Sequence, residues 1–183
     1  EIVVEHPRHD LTTSDMEQSH LADILRIYRE RYQALRKHPH VESIVIFKNH
    51  GEQAGTSLEH AHSQITAAPV ISSQVCMRLQ EARRHHEMNG VCLFCQVLQE
   101  ELEAGERIIE VGPSFVAFVP YASLSPYHMW IFPRQHASTY DEISDTDIDA
   151  LAGVLGRQLR RLKLAAGDPD YNFTIRSAPL DEA

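Results

Sequence analysis

The sequence predicts an α+β fold in two related halves, and three observations carry that reading. Short β-branched runs alternate with longer segments whose apolar residues recur at three- and four-residue steps. One strand–helix–strand pattern returns at a fixed offset later in the chain. The 183 residues, 43% hydrophobic and 23% charged, supply enough apolar material for a core and exclude a disordered or collagen-like chain. No apolar run approaches the ~20 residues of a spanning helix, so no membrane partner is expected. With 17 Lys+Arg against 26 Asp+Glu, the net charge of −9 excludes a broad electrostatic grip on nucleic acid. Any phosphate site must be local.

Residues 1–6 read as a strand leading into Pro7-Arg8-His9. Ser14-Asp15-Met16-Glu17 has the form of a capping box, and Leu21, Ile24, Leu25, Tyr28, Tyr32 and Leu35 then mark one apolar helical face. Residues 41–48 are β-branched and extended, 49–55 form a polar loop, and 63–70 make a second strand. The pattern over 72–104 is helical but broken near Asn89-Gly90, and Gly105 stops it. Strands follow at 107–111, 115–120 and 127–132, the last running into Pro133-Arg134-Gln135-His136.

Setting His136 against His9, an offset of 127 residues, pairs Leu21 with Ile148, Ile24 with Leu151, Tyr28 with Leu155 and Leu35 with Leu162. The next strand follows the same offset, Ile46 falling on Phe173. An internal duplication accounts for this, and a chance match between two amphipathic helices is the alternative. The reading divides the chain into residues 1–71, which carry the histidine motif, and 72–183, which end before a second one. The opening EIVVEHP and the closing APLDEA read as cuts within a longer chain, so ligands from outside these residues are expected.

Histidine is the compositional anomaly, at 12 of 183 residues. The informative stretch runs from Asn49 to Ile65: a glycine-punctuated loop feeding a strand that carries His60-Ala61-His62-Ser63-Gln64. In a strand, residues two apart share a face, so His60, His62 and Gln64 are expected together. Gly51 and Gly55 allow close backbone approach to a ligand, and Thr56 and Ser57 add hydroxyl and amide donors, which together can hold an anion with little positive charge. A neutral imidazole beside such a cradle can attack phosphorus near pH 7. Two hydrogen-bonded histidines on a half-buried strand are the bland alternative.

Three cysteines make no disulfide framework, and Cys92-x-x-Cys95 fits a metal or redox pair in a reducing, cytoplasmic setting. No signal or transit peptide is visible. Cys76 reads as a small buried apolar residue, Trp130 as buried, and His128 as a core or rim residue. His85-His86 reads as a solvated helix face. His6, His20, His38 and His40 have no evident partner in the sequence.

The stretch Asn49–Ile65 resembles the signature of the galactose-1-phosphate uridylyltransferases, in the histidine-triad superfamily: Asn-x-Gly, then Gly-x-Ser, then His-Pro-His-x-Gln. Ala61 stands in place of the proline, and Ser63 where the best-known members have glycine. The upstream Pro-x-His, its helix and the repeated half match as well. The resemblance implies two histidine-triad-like halves, each an antiparallel sheet with packed helices. It also implies double displacement. His62 attacks the α-phosphorus of UDP-glucose, glucose 1-phosphate leaves, and galactose 1-phosphate takes the nucleotide from the histidine. Gln64 then hydrogen-bonds the phosphoryl oxygens, and Asn49, Gly55, Thr56 and Ser57 hold the phosphates.

The resemblance further implies structural Zn2+. His9 and His60 would complete one site with a Cys-x-x-Cys from upstream, and Cys92, Cys95 and His136 copy the same ligand order in a second. The expected partners are a nucleotide sugar, a sugar 1-phosphate and a second copy of the chain, giving a cytoplasmic homodimer. The rival readings are a phosphorylase of the same fold, acting on ADP-glucose or a dinucleoside polyphosphate, and a zinc-stabilised nucleotide-binding module without catalysis.

Overall fold

Four antiparallel strands carry the histidine motif in the computed structural model, which describes residues 1–180. They are β1 (Ile2–Val4), β2 (Ser43–His50), β3 (His62–Ala68) and, from far along the chain, β7 (Tyr171–Ile175), in the order β1-β3-β2-β7. Helices α1 (Gln18–Leu35) and α4 (Asp145–Ala166) belong to the same compact unit, which comprises Glu1–Val70 and the chain from Ser138 onward. The other unit, Ile71–Ala137, holds α2 (Ser73–Asn89), α3 (Leu93–Ala104) and a sheet of β4 (Ile108–Val111), β5 (Phe115–Phe118) and β6 (Trp130–Pro133). Among the described residues no helix is long and apolar enough to cross a membrane.

The antiparallel sheets and packed helices are those the sequence predicts, and the offset of 127 residues reappears in the elements themselves. Turns of 3-10 helix at Thr13–Asp15 and Tyr140–Glu142 are one offset apart, as are the first residues of α1 and α4, Gln18 and Asp145. In the β2–β7 register Phe47 faces Thr174, again 127 residues on, so a local two-fold axis passes between them. The polar contacts repeat it with their acceptors shifted by one or two residues. Arg36, at the end of α1, pairs with Asp141 of the second turn, while Lys163, its counterpart in α4, pairs with Asp15 of the first at 2.8 Å. Gln33 donates to the Asp141 carbonyl at 2.8 Å, and its counterpart Arg160 reaches the Met16 carbonyl at 3.4 Å. These coincidences are consistent with an internal duplication. The compact units do not coincide with the stretches 1–71 and 72–183, because α4 and β7 pack with the first stretch. Compactness and descent are separate properties.

Helix packing fixes the sheet's orientation. Leu21, Ile24, Leu25, Tyr28 and Tyr32 of α1 are buried with Ile148 and Ala152 of α4 against Val3, Ile44, Ile46 and Ile65 of the sheet. Successive strand residues alternate faces, so this leaves Val4, His62, Gln64, Phe47, Asn49 and Asn172 together on the face away from the core. One local expectation is corrected. The capping box at Ser14 does not form: Ser14 is buried, its hydroxyl bonds Thr12 Oγ1 at 2.8 Å, and α1 starts at Gln18 without a side-chain cap. Ser144 does cap α4, accepting from the Asp147 amide at 3.1 Å, with Asp145 and Asp147 in the first turn.

In the second unit, α2 and α3 are separated near Gly90, as the sequence predicts, and end on Gly90 and Gly105 in the left-handed conformation. Leu98, Val116 and Phe118 form the core, with Trp130 and Phe132, stacked on each other at 5.2 Å, packed against it. Trp130 is half-buried rather than buried, and so is Cys76, which lies on a helix with no fully buried residue.

Ile148 is fully shielded between the two helices. Ile148→Ala should cost about 2–5 kcal/mol of unfolding free energy, read as a lower urea midpoint at unchanged slope.

Candidate functional site

The His62 side chain, 7% exposed, leaves β3 at its first residue, and its ring Nδ1 lies 2.9 Å from the His60 carbonyl oxygen. A carbonyl only accepts, so Nδ1 carries the proton and Nε2 holds the lone pair. Gln64 follows on the same face, opposite Ile2 and Phe47.

His60 does not share that face. Strand geometry begins only at His62, and His60 sits in a bend that turns its ring aside. Its Nε2 lies 2.6 Å from the His6 carbonyl and must be the protonated nitrogen. The other nitrogen, Nδ1, is therefore a lone pair, and it lies 3.2 Å from Nδ1 of His9. Two imidazole ligands on a tetrahedral zinc stand about 3.3 Å apart, so this pair has the spacing of a half-site, and His60 the tautomer for it. His6 and His20, for which the sequence offers no partner, belong to the same bracing: their rings meet edge to face at 4.8 Å, and His20 Nε2 donates to the Glu5 carbonyl at 2.5 Å.

The loop between β2 and β3 is closed from β7. Asp170 accepts from the Gln53 amide at 2.5 Å and fills the space beside Gly51, whose φ is +85° and where a Cβ would come within 2.0 Å of the carboxylate. Asn172 donates to Asn49 Oδ1 at 2.7 Å and to the Ala54 carbonyl at 2.8 Å. With its oxygen so engaged, Asn49 presents its NH2. The Gly55 and Thr56 amides bond the Glu52 and Gly51 carbonyls within the loop at 3.0 and 3.2 Å, and the Thr56 hydroxyl reaches Leu58 O at 3.1 Å. Ser57 is exposed at the loop surface. Asp170 and Asn172 escape sequence reading because 117 or more residues separate them from the groups they bind. Two clefts, of about 520 and 460 Å³, are lined around Ile2 with Arg31 and around His6 with His20, and neither includes His62.

In the second unit, Cys92 precedes α3, Cys95 lies in its first turn, and His136 follows β6. Cys95 Sγ is 3.2 Å from His136 Nδ1, and the three ligand atoms lie within 4.8 Å of one another, so these residues could hold a metal ion. Burial, then the hydrogen bond and charge of Cys92, push the Cys95 thiol up, and binding a divalent cation would displace its proton. His128 lies between the Leu124 amide and the Trp130 indole, each 3.2 Å from a ring nitrogen, and His85 Nε2 meets Gln96 Oε1 at 2.9 Å.

Comparison with known proteins matches residues 1–72 to the family described as galactose-1-phosphate uridyl transferase, N-terminal domain. Over 180 residues the chain is 32% identical to ADP-glucose phosphorylase of Arabidopsis thaliana, covering 98% of this chain and 50% of that protein. It is likewise 32% identical over 183 residues to galactose-1-phosphate uridylyltransferase of Thermotoga maritima, covering all of this chain and 57% of the relative. The chain belongs to the galactose-1-phosphate uridylyltransferase family. The solved structure of an Arabidopsis thaliana ADP-glucose phosphorylase with bound ADP-glucose superposes at a TM-score of 0.92 and 31% identity, over all of this chain and 56% of that one. A uridylyltransferase structure gives 0.91 at 32% identity, over 97% of this chain and 56% of that one. The chain spans about half the length of the curated uridylyltransferase-family relatives it matches.

The contact between Asp170 and Gly51 gives this family member a sensitive position. Gly51→Ala should expel the carboxylate, deprotect the Gln53 amide in hydrogen exchange and cost about 1–3 kcal/mol, since the left-handed backbone strains any Cβ.

Proposed function

We propose that His62 is the nucleophile of a nucleotidyl transfer from a nucleoside diphosphate sugar. The observation that carries this reading is the bond between His62 Nδ1 and the His60 carbonyl. It leaves Nε2 as a lone pair without any proton having to be removed first. In the first step an Nε2–phosphorus bond forms at the α-phosphorus while the bond to the bridging oxygen breaks, and sugar 1-phosphate departs with that electron pair. The ring becomes a cation, and the His60 carbonyl at Nδ1–H is placed to stabilise it. In the second step a phosphate oxygen of the acceptor attacks, the N–P bond breaks and the neutral ring returns.

The Gln64 amide and the Asn49 NH2 face the same side of the sheet as His62 and suit the equatorial oxygens of the pentacoordinate phosphorus. The loop with Gly55, Thr56 and Ser57 would hold the remaining phosphate by rearranging its internal amides.

UDP-glucose with galactose 1-phosphate is the first donor–acceptor pair we assign. Similarity to the Arabidopsis thaliana ADP-glucose phosphorylase supports a second, ADP-glucose with inorganic phosphate, which differs only in base and acceptor. Zn2+ braces the fold in this reading. His9 and His60 would bind one ion with ligands from outside these residues, and Cys92, Cys95 and His136 a second. The three free cysteines support a reducing, cytoplasmic setting, and membership of the family supports a homodimer. We assign the stretches 1–71 and 72–183 to the two duplicated halves.

Intact mass after mixing with UDP-glucose or ADP-glucose tests the chemistry. Wild type should gain one nucleotidyl group, and the base is read from the mass. His62→Ala should gain none while keeping its fold and metal content. Absence of an adduct on wild type at saturating nucleotide would instead support a binding module without catalysis. His60→Ala should lower bound zinc, measured by elemental analysis, and reduce Tm, while Cys92→Ser lowers zinc independently of it.

A further inference from the structure

The face of β3 opposite His62 carries a buried ion pair that the transfer chemistry does not use. Lys48 of β2 and Glu5, just past β1, have side chains 1% and 0% exposed, with Nζ 2.9 Å from Oε2. An isolated pair of this kind is a poor source of stability, because desolvation of both charges offsets their attraction. Its other contacts say what it holds. The Lys48 ammonium also donates to the His62 carbonyl at 2.9 Å. The β2–β3 ladder ends at Phe47 and Gln64, and Lys48 itself pairs with Phe173 of β7. The His62 carbonyl therefore lies beyond the last ladder pair, and the lysine side chain supplies the donor that the departing strand no longer can.

Glu5 secures the neighbours. Its Oε1 accepts from the Ser63 hydroxyl, its Oε2 from Thr13 at 2.8 Å, and its amide donates to the Ala61 carbonyl at 3.0 Å. Tyr28 donates to Ser63 in turn, and burial together with the Glu5 carboxylate pushes that phenol well above its ordinary range, so it stays a donor. With His60 bound to the His6 carbonyl, four successive residues from His60 to Ser63 are each tied to this network or its strand.

We propose that Lys48 and Glu5 are positioning residues for His62. The lysine, held in place by the Glu5 carboxylate, fixes the peptide plane that follows the nucleophile, while the Glu5 main-chain amide holds the one before it, and together they set the ring's reach to the His60 carbonyl. This inference rests on the assignment of His62 as the nucleophile.

The test compares Lys48→Met with Lys48→Met/Glu5→Gln in the otherwise intact chain. The single variant leaves a buried carboxylate without its cation and should lose Tm. The double variant removes that charge but keeps an acceptor for Ser63 and Thr13, so most of the Tm should return. In both, single-turnover adduct formation from UDP-glucose or ADP-glucose should stay about 10²-fold slow, with nucleotide-sugar affinity within about threefold of wild type, the signature of a misplaced reacting group. The 15N spectrum of the His62 imidazole should move in both from a single Nδ1–H tautomer towards a mixture. A double variant that regains both Tm and adduct rate, with the wild-type 15N spectrum, would overturn the proposal by reducing the pair to a structural role. Should wild type form no adduct, the nucleophile assignment falls, and the 15N comparison still decides whether the pair orients the ring.

Discussion

One main-chain carbonyl sets the state of the His62 ring. By accepting from Nδ1 of His62, the oxygen of His60 fixes which ring nitrogen keeps its lone pair, and the rest of the first unit is organised so that this oxygen stays put. The bend at His60 turns one histidine towards His9 and leaves the other on the sheet face away from the helices. Two residues that would share a face in a flat strand are thus set apart, His60 beside His9 and His62 on the face of Gln64. The helices bury the reverse of the sheet, so the polar surface is left to a few side chains whose tautomers and amide orientations follow from their partners.

The pseudo-two-fold arrangement explains how so short a motif is supported. Helix pairs with helix, turn with turn and β2 with β7 across one local axis, so the strand carrying Asn49 is backed by its counterpart from later in the chain. That counterpart does not repeat the chemistry. It contributes Asp170 and Asn172, which shape the glycine loop and set the Asn49 amide. The family relationship is shown by similarity along the whole chain, whereas the donor and acceptor are matters for the assays above.

Much of this was legible in the sequence because it is local. Periodicity located α1 and α4, Gly90 and Gly105 marked helix ends, and spacing picked out His62 with Gln64 and Cys92 with Cys95 and His136. What stayed hidden is set by tertiary partners. Ser14 looks like a cap but is drawn into a buried 3-10 turn, and His60 looks strand-like but its ring donates to the His6 carbonyl, just past β1. Nothing in the sequence marks Lys48, at the end of its extended run, as buried. Only the divergence of β2 from β3 shows why an ammonium belongs inside.

The first unit is discontinuous, interrupted by the whole of Ile71–Ala137. Its loop-closing bonds join residues 117 to 123 positions apart, so they form late in any folding sequence, after a costly chain closure. During synthesis, residues 1–70 leave the ribosome without α4 to cover their apolar face or β7 to cap the β2 edge. Such a segment is exposed to aggregation until β7 arrives. The glycine loop and the Asn49 amide then take their final arrangement with the docking of β7, near the very end of translation of this stretch.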